Sequence, residues 1–401
     1  MLDLQGLTKA LHRKTESNIV LLVADGLGGL PMETGGQSEL ECAQTPNLDE
    51  LARQGTTGLM HPVLPGITCG SGPGHLALFG YDPLRYRVGR GVLSALGVEF
   101  ELQDGDVAAR GNFCSIDKDG DISDRRAGRI SDEQGKRLVD KLRQIELNDV
   151  EVLVEHVKEY RFAVVLRGSG LGDKISDTDP HVTGVAPREP AAADRGSEKT
   201  AQLYTQFIGR AREILADETP ANMILLRGFS ARPDIPSMRE AYGLEACAIA
   251  TYPMYRGLSR LLGMDVPVAA NLSQQMGQMA ESWDFHDYFF LHYKDTDSAG
   301  EDGDFDHKVQ CLDWLDSQIP LIVEQKPDVL VVTGDHSTPS CLRSHSWHPV
   351  PVLLWAKTCR PDRVERFGER DALCGGLGHF EAQYLMPLAL AHAGKLDKFG
   401  A

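Results

Sequence analysis

Residues 18–26 read Asn-Ile-Val-Leu-Leu-Val-Ala-Asp-Gly, an unbroken apolar run that ends at an acidic residue and a glycine. A continuous apolar run of this length is typical of a parallel strand covered on both faces. The segment TPNLDELARQG follows, with Thr45 as the N-cap, Pro46 at the first helical position and Gly55 as the stop. A strand followed by a helix is the repeating unit of α/β folds, so this class is predicted from the first 55 residues.

The same alternation returns near the other end of the chain. We predict strands at 287–292 (DYFFLH), 328–332 (DVLVV) and 350–355 (VPVLLW), with a helix over 308–319 between the first two. Because both ends of the chain carry strands that lead into acidic residues, we assign both ends to one α/β core.

The middle of the chain has a different composition, which is rich in Arg, Gly and Asp. One helix is predicted after Ser131, where the residues SDEQ fit a capping box, and a buried strand is predicted at 222–226. We therefore predict a core made of residues 1–96 and 233–401, with residues 97–232 as an inserted domain. The expected fold class is α/β, a mostly parallel sheet sandwiched by helices, with a smaller inserted α/β or α+β domain.

Composition excludes several classes of protein. The 41 Lys and Arg against 58 Asp and Glu give a net charge of −17, which disfavours nucleic acid as a partner. The apolar runs are far shorter than the about 20 residues that cross a bilayer, so no membrane partner is expected. The eight cysteines form no CxxC pair, so neither a disulfide framework nor a zinc cluster is indicated. The N-terminal segment has no apolar signal core, so we expect a cytoplasmic protein, and the oligomeric state stays open.

Acidic residues and imidazoles stand where the predicted strands end. Asp25 follows the first strand, and Asp335 and His336 follow VLVVTG. The carboxyl ends of strands form the ligand crevice of α/β sheets, so these side chains are expected to meet there. Three further candidates near strand ends are Asp297, Glu301 and His345.

Each of these residues also has an ordinary structural interpretation. A lone Asp after a strand is typical of a turn or a helix cap, the acidic run at 297–306 also fits a solvated loop or a poor calcium loop, and His345 also fits a surface imidazole. The run Asp-His-Ser-Thr-Pro from Asp335 is less typical of a plain turn. Carboxylate and imidazole are ligands of Mn²⁺, Mg²⁺ and Zn²⁺, so the combination predicts a divalent metal site.

A glycine-rich segment, GITCGSGPGH at 66–75, contains a candidate nucleophile. Ser71 stands where a helix can begin, and the free N–H groups and positive dipole end there stabilise a phosphoryl group. A serine is a weak nucleophile that a coordinating metal can activate. Thr68 and Cys69 compete with it in the same segment, and an ordinary N-cap is the alternative interpretation of Ser71. The segment is neither a GxSxG elbow nor a Walker loop.

Long motifs along nearly the whole chain are similar to those of a known family. They are VADGLGGLP, TPNLDELARQG, GSGPGHLALFGYDP, GRGVLSALGVEFEL, ARGNFCSID, DRRAGRI, DTDPH, TDSAGEDGDFD, TGDHSTP, HSWHPVPVLL and KLDKFGA. On these motifs the chain resembles the archaeal-type, cofactor-independent (2,3-bisphosphoglycerate-independent) phosphoglycerate mutases of the alkaline phosphatase superfamily. The resemblance implies interconversion of 3-phosphoglycerate and 2-phosphoglycerate in glycolysis and gluconeogenesis, through a phosphoserine and without 2,3-bisphosphoglycerate.

The resemblance also implies two divalent metal ions and a nucleophile, Ser71. The ligands it implies are Asp25, Ser71, Asp335 and His336 for one ion, and Asp297, His345 and Glu301 for the other. Relatives usually carry histidine four residues after Asp297, where this chain has Glu301. A carboxylate there leaves occupancy of the second site open, or shifts the preference from Zn²⁺ towards Mn²⁺ or Mg²⁺, with Zn²⁺ still possible.

The inserted domain is expected to bind a small phosphorylated carboxylate and to close over it, so that water does not hydrolyse the phosphoserine. Arginine suits bidentate binding of carboxylate or phosphate, although at least three of the arginines are expected to be plain surface charges. The implied acid–base residue is Asp124, with Arg126 beside it in DRRAGRI. The other substrate candidates are His75, Arg110, Arg125, Arg129, Arg161, Arg167, His181 and Arg227. Tyr252 and Tyr255 fit the core better than the ligand site.

Other functions stay open at this point. A metal-dependent phosphatase or phosphodiesterase would use the same residues and release phosphate. A phosphotransferase to another small hydroxyl acceptor such as homoserine would need a nucleotide, and no nucleotide loop is recognisable. A non-catalytic metal-binding protein would not need Ser71 next to the metal ligands.

Overall fold

The computed structural model describes residues 3–269 and 271–400; Met1, Leu2, Ala270 and Ala401, the last residue of the KLDKFGA motif, lie outside the described residues. The chain divides into two compact units. The first comprises Met1–Arg87, Ile235–Tyr252 and Ser259–Ala401, and the second comprises Val88–Asp234 and Pro253–Leu258. The second unit therefore begins before residue 97 and takes in part of a later helix.

The described residues form twelve strands and fourteen α-helices. The strands are β1 (Ile19–Ala24), β2 (Thr56–His61), β3 (Val107–Ile116), β4 (Ile122–Asp124), β5 (Glu151–Lys158), β6 (Arg161–Arg167), β7 (Met223–Ala231), β8 (Ala246–Ile249), β9 (Tyr288–Tyr293), β10 (Val329–Thr333), β11 (Val350–Ala356) and β12 (Gly378–Glu381). The α-helices are α1 (Leu4–Leu11), α2 (Glu39–Cys42), α3 (Pro46–Gln54), α4 (Ser71–Leu78), α5 (Arg90–Gly97), α6 (Asp132–Leu142), α7 (Glu198–Leu215), α8 (Met238–Tyr242), α9 (Pro253–Leu261), α10 (Leu272–Ser282), α11 (Asp295–Asp302), α12 (Phe305–Val323), α13 (Glu369–Ala372) and α14 (Leu385–His392). Short 3₁₀ turns occupy Ala127–Arg129, Arg195–Ser197 and Ala382–Tyr384. Within the described chain, none of the helices combines the length and the apolar character that crossing a membrane requires.

The first unit is built on a seven-stranded sheet in the order β12-β2-β11-β10-β1-β9-β8. β1 is parallel to both of its neighbours, and only β11 runs antiparallel to the strands beside it. All six residues of β1 are buried, as a strand covered on both faces requires. Burying each of its Val, Leu and Ile side chains contributes about 1.5–3 kcal/mol. The prediction of a mostly parallel sheet in an α/β fold is confirmed.

The elements predicted from sequence are present with small shifts of their ends. β1, β9, β10 and β11 cover the four predicted core strands, and α12 contains the predicted helix at 308–319. α3 begins at Pro46 and ends before Gly55, although the Thr45 side chain makes no capping hydrogen bond. The helix predicted after Ser131 is α6, which ends at Leu142, and Ile145 lies beyond it and is buried.

The second unit is built on a five-stranded sheet in which every described pairing is antiparallel. Its order is β4-β3-β6-β5, with β7 paired to β3. Phe113, Phe162, Tyr204 and Phe207 are buried in its core, to which α6 and α7 contribute. In the β3–β7 ladder Arg110 lies opposite Arg227, so two arginines stand side by side in one sheet.

Candidate active site

Three neighbouring parallel strands end at one edge of the first unit's sheet. Asp25 directly follows β1, Asp335 and His336 follow β10, and Lys294 directly follows β9. Because β1 lies between β9 and β10 and runs parallel to both, the loops after these strands meet. This edge gathers groups from segments that are about 300 residues apart in the chain.

A first cluster is formed by Asp25, Asp335 and His336, whose ligand atoms lie within 4.8 Å of one another. His336 Nε2 is 3.3 Å from Asp25 Oδ1 and 3.2 Å from Asp335 Oδ2. All three side chains are fully buried, with 0% of their surface exposed. Buried carboxylates are costly unless a cation or a donor compensates them, so this set of oxygen and nitrogen atoms fits a divalent metal ion.

Ser71 lies beside this cluster as the first residue of α4, with Gly70 as the N-cap. Its hydroxyl oxygen is 3.1 Å from His336 Nε2. The helix packs directly on the loop after β10, because a Cβ atom on Gly74 would lie 2.4 Å from the Asp335 carbonyl oxygen. The glycine at residue 74 therefore allows the close approach that brings the serine to the cluster.

The competing nucleophiles of the same segment are placed differently. Cys69 is buried with its sulfur 3.8 Å from the Asp335 carbonyl oxygen. Burial, helped by the Asp335 charge, raises the pKa of the Cys69 thiol to about 12, so the thiolate is scarce at neutral pH. Thr68 is exposed, and Ser71 is the residue of this segment whose hydroxyl is hydrogen-bonded to His336.

A second group comprises Asp297, His336 and His345, again with ligand atoms within 4.8 Å of one another. Asp297 and Glu301 lie one turn apart on α11, where the sequence also allowed a solvated acidic loop. His345 Nε2 is 3.6 Å from Asp297 Oδ1 and 3.8 Å from Glu301 Oε1. Its other nitrogen, Nδ1, donates to the Cys69 carbonyl oxygen at 2.9 Å, which leaves Nε2 as an unprotonated ligand atom in the neutral ring.

Lys294, which the sequence interpretation missed, stands between the two groups. Its ammonium is 3.0 Å from Asp25 Oδ2 and contacts Asp297 Oδ2. Burial opposes its charge, but the two carboxylates raise the pKa of Lys294 above its ordinary value. In turn, and against its own burial, Lys294 together with His292 and His336 lowers the pKa of Asp25 well below its ordinary value. The Tyr252 ring centroid lies 5.9 Å from the Lys294 nitrogen.

Two fully buried imidazoles lie beneath the first cluster. His75 Nδ1 is 2.8 Å from the Ser71 carbonyl oxygen and 3.2 Å from Asp335 Oδ2, and His292 Nε2 is 3.2 Å from Asp25 Oδ2. The sequence interpretation gave His75 to the substrate. Its side chain is 0% exposed, so its position fits support of the Asp335 carboxylate instead.

In the second unit, several of the predicted substrate residues converge on Asp179. Arg125 donates to both Asp179 carboxylate oxygens at 2.9 and 2.8 Å, and Arg227 Nη1 is 3.4 Å from Asp179 Oδ2. His181 Nδ1 lies 3.2 Å from Arg125 Nη2. The Asp179 side chain is 0% exposed, and the two guanidinium groups help lower its pKa against the effect of burial. Arg110 is placed nearby by its pairing with Arg227.

The other predicted residues of this unit lie outside that convergence. Asp124 accepts the backbone N–H groups of Arg126 and Gly128 at 2.8 and 2.6 Å, and the Arg126 side chain is exposed. Arg167 is paired with Asp106 at 2.8 Å. The remaining predicted residues are Arg129, which is exposed, Arg161, which packs on the Tyr160 ring, and Tyr255, which is buried in the core.

Comparison with known proteins identifies the family. A family model described as 2,3-bisphosphoglycerate-independent phosphoglycerate mutase matches residues 52–222. A probable 2,3-bisphosphoglycerate-independent phosphoglycerate mutase from Thermus thermophilus is 52% identical over 406 residues, which cover 100% of both chains. The chain belongs to the 2,3-bisphosphoglycerate-independent phosphoglycerate mutase family.

Solved structures agree with this membership. The cofactor-independent phosphoglycerate mutase from Thermoplasma acidophilum is 30% identical, with a TM-score of 0.70 and coverage of 94% of this chain and 100% of that one. A protein from Pyrococcus horikoshii is 29% identical, with a TM-score of 0.84 and coverage of 96% and 99%. The predicted family, and with it the predicted independence of 2,3-bisphosphoglycerate, is confirmed.

Two further residues of this chain carry weak sequence signals. Lys294 stands directly after the predicted strand DYFFLH and its Tyr, at the strand end where ligand residues were expected. Asp179 is part of the DTDPH motif, in which only the histidine was considered. The signal for Lys294 is a charged residue soon after an apolar strand. The signal for Asp179 is a charged residue inside a family motif.

Proposed function

We propose that this protein interconverts 3-phosphoglycerate and 2-phosphoglycerate through a phosphoserine at Ser71, with two divalent cations held by the residues described above. The observation that carries this proposal is the 3.1 Å contact between Ser71 Oγ and His336 Nε2, the same nitrogen that faces Asp25 and Asp335. A nucleophile and three ligand groups from remote segments therefore meet at one point.

Asp25, Asp335 and His336 would hold the first cation beside Ser71, and Asp297, His345 and Glu301 would hold the second. When bound, such cations supply charge neutralisation for the phosphoryl oxygens and a lowered pKa for a serine hydroxyl. Four of these six residues are carboxylates, which favours Mn²⁺ or Mg²⁺ over Zn²⁺. Glu301 is 56% exposed, so its carboxylate is the ligand that can most easily swing away.

In the proposed reaction, the Ser71 hydroxyl loses its proton and its Oγ forms a bond to phosphorus as the bond to the 3-oxygen of the substrate breaks. The 3-oxygen takes up a proton and becomes a hydroxyl. The phosphoryl group then returns to the 2-oxygen of the same glycerate. Ser71 stands at the N-terminus of α4, where the unpaired N–H groups and the helix dipole favour a bound phosphoryl group. Phosphoryl transfer depends mainly on such positioning and charge stabilisation.

Arginines of the second unit are proposed to bind the carboxylate or phosphate of the glycerate. Arg125 and Arg227 are oriented by the buried Asp179, which makes them the strongest candidates, with Arg110 and His181 beside them. Asp124 stays our candidate for proton transfer at the glycerate hydroxyl, with Arg126 next to it. The two backbone N–H groups that Asp124 accepts would hold its carboxylate in one orientation.

The test measures 2-phosphoglycerate and inorganic phosphate separately, with 3-phosphoglycerate as the substrate and Mn²⁺ present. The proposal predicts that 2-phosphoglycerate is the main product, that chelation stops the reaction and that Mn²⁺ restores it. Predominant release of phosphate would instead favour a phosphatase. A glycolytic mutase of this kind is proposed to work in the cytoplasm, and fractionation of cells would test that location.

A further inference from the structure

We propose that Thr338 is a positioning residue that fixes the proton of His336 on Nδ1, so that the single lone pair of Nε2, next to Ser71, is presented to the first cation. This inference rests on the proposed function, because it concerns the cation site named there. It assigns a role to a residue outside the set of ligands and nucleophile.

Thr338 is fully buried in the loop after β10, and its hydroxyl bridges the two ligand groups. Its Oγ1 lies 2.6 Å from Asp297 Oδ1 and 3.0 Å from His336 Nδ1. Its backbone is fixed as well, because its N–H donates to the Gly28 carbonyl oxygen at 3.0 Å and its own carbonyl accepts from Lys308 Nζ at 2.8 Å. The hydroxyl therefore has a defined position relative to both partners.

The direction of the two hydrogen bonds follows from counting protons. A threonine hydroxyl has one proton to donate, and an ionised carboxylate can only accept. Asp297 is paired with the Lys294 ammonium, and the 2.6 Å separation is typical of a hydroxyl that donates to a carboxylate. The Thr338 proton is thus directed to Asp297, and the contact with His336 requires that Nδ1 donates to the hydroxyl.

With the proton of the neutral ring on Nδ1, His336 Nε2 carries a lone pair. That nitrogen faces Ser71 Oγ, Asp25 Oδ1 and Asp335 Oδ2 at 3.1, 3.3 and 3.2 Å. The geometry alone allows His336 in both metal groups. The protonated Nδ1 removes it from the second group, so His336 serves only the cation beside Ser71.

The experiment compares the full-length wild-type chain with Thr338→Val, which removes the hydroxyl at nearly constant shape, and Thr338→Ser, which keeps it. Thr333→Val is the matched control, because Thr333 is equally buried and its hydroxyl donates to the Pro351 carbonyl oxygen. The tautomer of His336 is measured by ¹⁵N NMR in metal-free protein, at a pH where the ¹⁵N shifts of this ring themselves show it to be neutral. Its signals are assigned by their loss in His336→Gln.

We expect Nδ1–H in the wild type and in Thr338→Ser, and a shift towards Nε2–H in Thr338→Val. Calorimetric titration with Mn²⁺ should give an affinity about 10–100-fold lower for Thr338→Val, as is typical when a supporting partner of a metal ligand is lost, and near-normal affinity for the serine variant and the Thr333→Val control. An unchanged tautomer in Thr338→Val, or an equal loss of affinity in Thr333→Val, would overturn the inference.

The readouts separate this inference from the proposed function. If Thr338→Val does not fold, the tautomer of His336 in the metal-free wild type still tests the inference. An Nε2–H tautomer there contradicts the inference without any variant. The proposed function fails by a different observation, the absence of phosphate on Ser71 during turnover, which leaves the tautomer result untouched.

Discussion

The hydroxyl oxygen of Ser71 lies 3.1 Å from Nε2 of His336, although the two residues are 265 positions apart in the chain. The contact joins the N-terminus of α4 to the loop after β10. It supports the proposal that Ser71 is the nucleophile, because it places the serine hydroxyl beside the groups proposed to hold an activating cation.

Replacing Ser71 by Ala should abolish mutase turnover while leaving the thermal unfolding temperature within a few degrees of the wild type. Turnover is lost because the variant lacks the oxygen that is proposed to be phosphorylated. Stability is kept because residue 71 is only half-buried. Thr68→Ala, at an exposed position of the same segment, is the control and should keep near-normal activity. A Ser71→Ala enzyme that still interconverts the phosphoglycerates would show that the nucleophile has been misassigned.

Replacing Glu301 by His should keep activity and move the metal preference from Mn²⁺ towards Zn²⁺. An imidazole would take the place of a carboxylate 3.8 Å from His345 Nε2, and imidazole suits the softer ion. Activity is measured after reconstitution with each metal in turn. Identical metal profiles for the two proteins would mean that Glu301 is not a ligand.

Replacing Arg125 by Lys should raise the KM for 3-phosphoglycerate roughly 10-fold or more, because a charge-assisted hydrogen bond contributes about 1.5–3 kcal/mol. Lysine cannot make the two parallel hydrogen bonds that Arg125 makes with Asp179. The positive charge of the lysine is therefore not held in the position of the guanidinium. Arg137→Lys is the control in the same unit, since Arg137 pairs with Glu218 at the surface. Equal KM values for the two variants would argue against a substrate role for Arg125.

Glu369 is expected to make the free energy of unfolding depend on pH, and it is not one of the proposed metal ligands. Burial raises the pKa of Glu369 to about 7, although the Gly29 N–H at 2.8 Å and the Ser38 hydroxyl stabilise its carboxylate. In the unfolded chain its pKa is about 4.3. Between these values the folded state binds a proton that the unfolded state does not, so the free energy of unfolding falls as the pH rises from about 4.3 to about 7.

The isosteric variant Glu369→Gln should remove this part of the pH dependence and be more stable than the wild type above about pH 7.5. The measurement is urea unfolding of metal-free protein at a series of pH values. Glu33→Gln, at an exposed site, is the control and should follow the wild-type curve. A Glu369→Gln curve parallel to that of the wild type over the whole range would contradict the assignment.

The strand-end carboxylates show what the sequence predicts well. Asp25 and Asp335 follow long apolar strands, and the rule that parallel strands open their carboxyl ends to one crevice is enough to bring them together. The sequence alone does not assign Ser71 as the nucleophile, because a helix start at a Gly-rich segment predicts an N-cap as readily as a nucleophile. Its contact with His336 depends on the close packing that Gly74 allows, which no local pattern reveals.

Other features depend on pairings between remote segments. β2 contains Thr56, Thr57 and Gly58, which give little periodic signal, and it is a strand because β11 and β12 pair with it. The Lys294 ammonium contacts two carboxylates because the loop after β1 and the helix α11 bring them to it. Its neighbours in the sequence do not indicate this pairing. His75 is fully buried next to Asp335. A sequence motif does not indicate whether a histidine faces the substrate or lies beneath the site.

The most direct test of the central claim is mass spectrometry of the enzyme quenched during turnover of 3-phosphoglycerate with Mn²⁺. We expect a single phosphoryl group on the peptide that contains Ser71, and we expect it to be lost again when the quench follows a chase with free glycerate. Phosphate on another residue, or turnover at full rate with an unmodified Ser71 peptide, would contradict it.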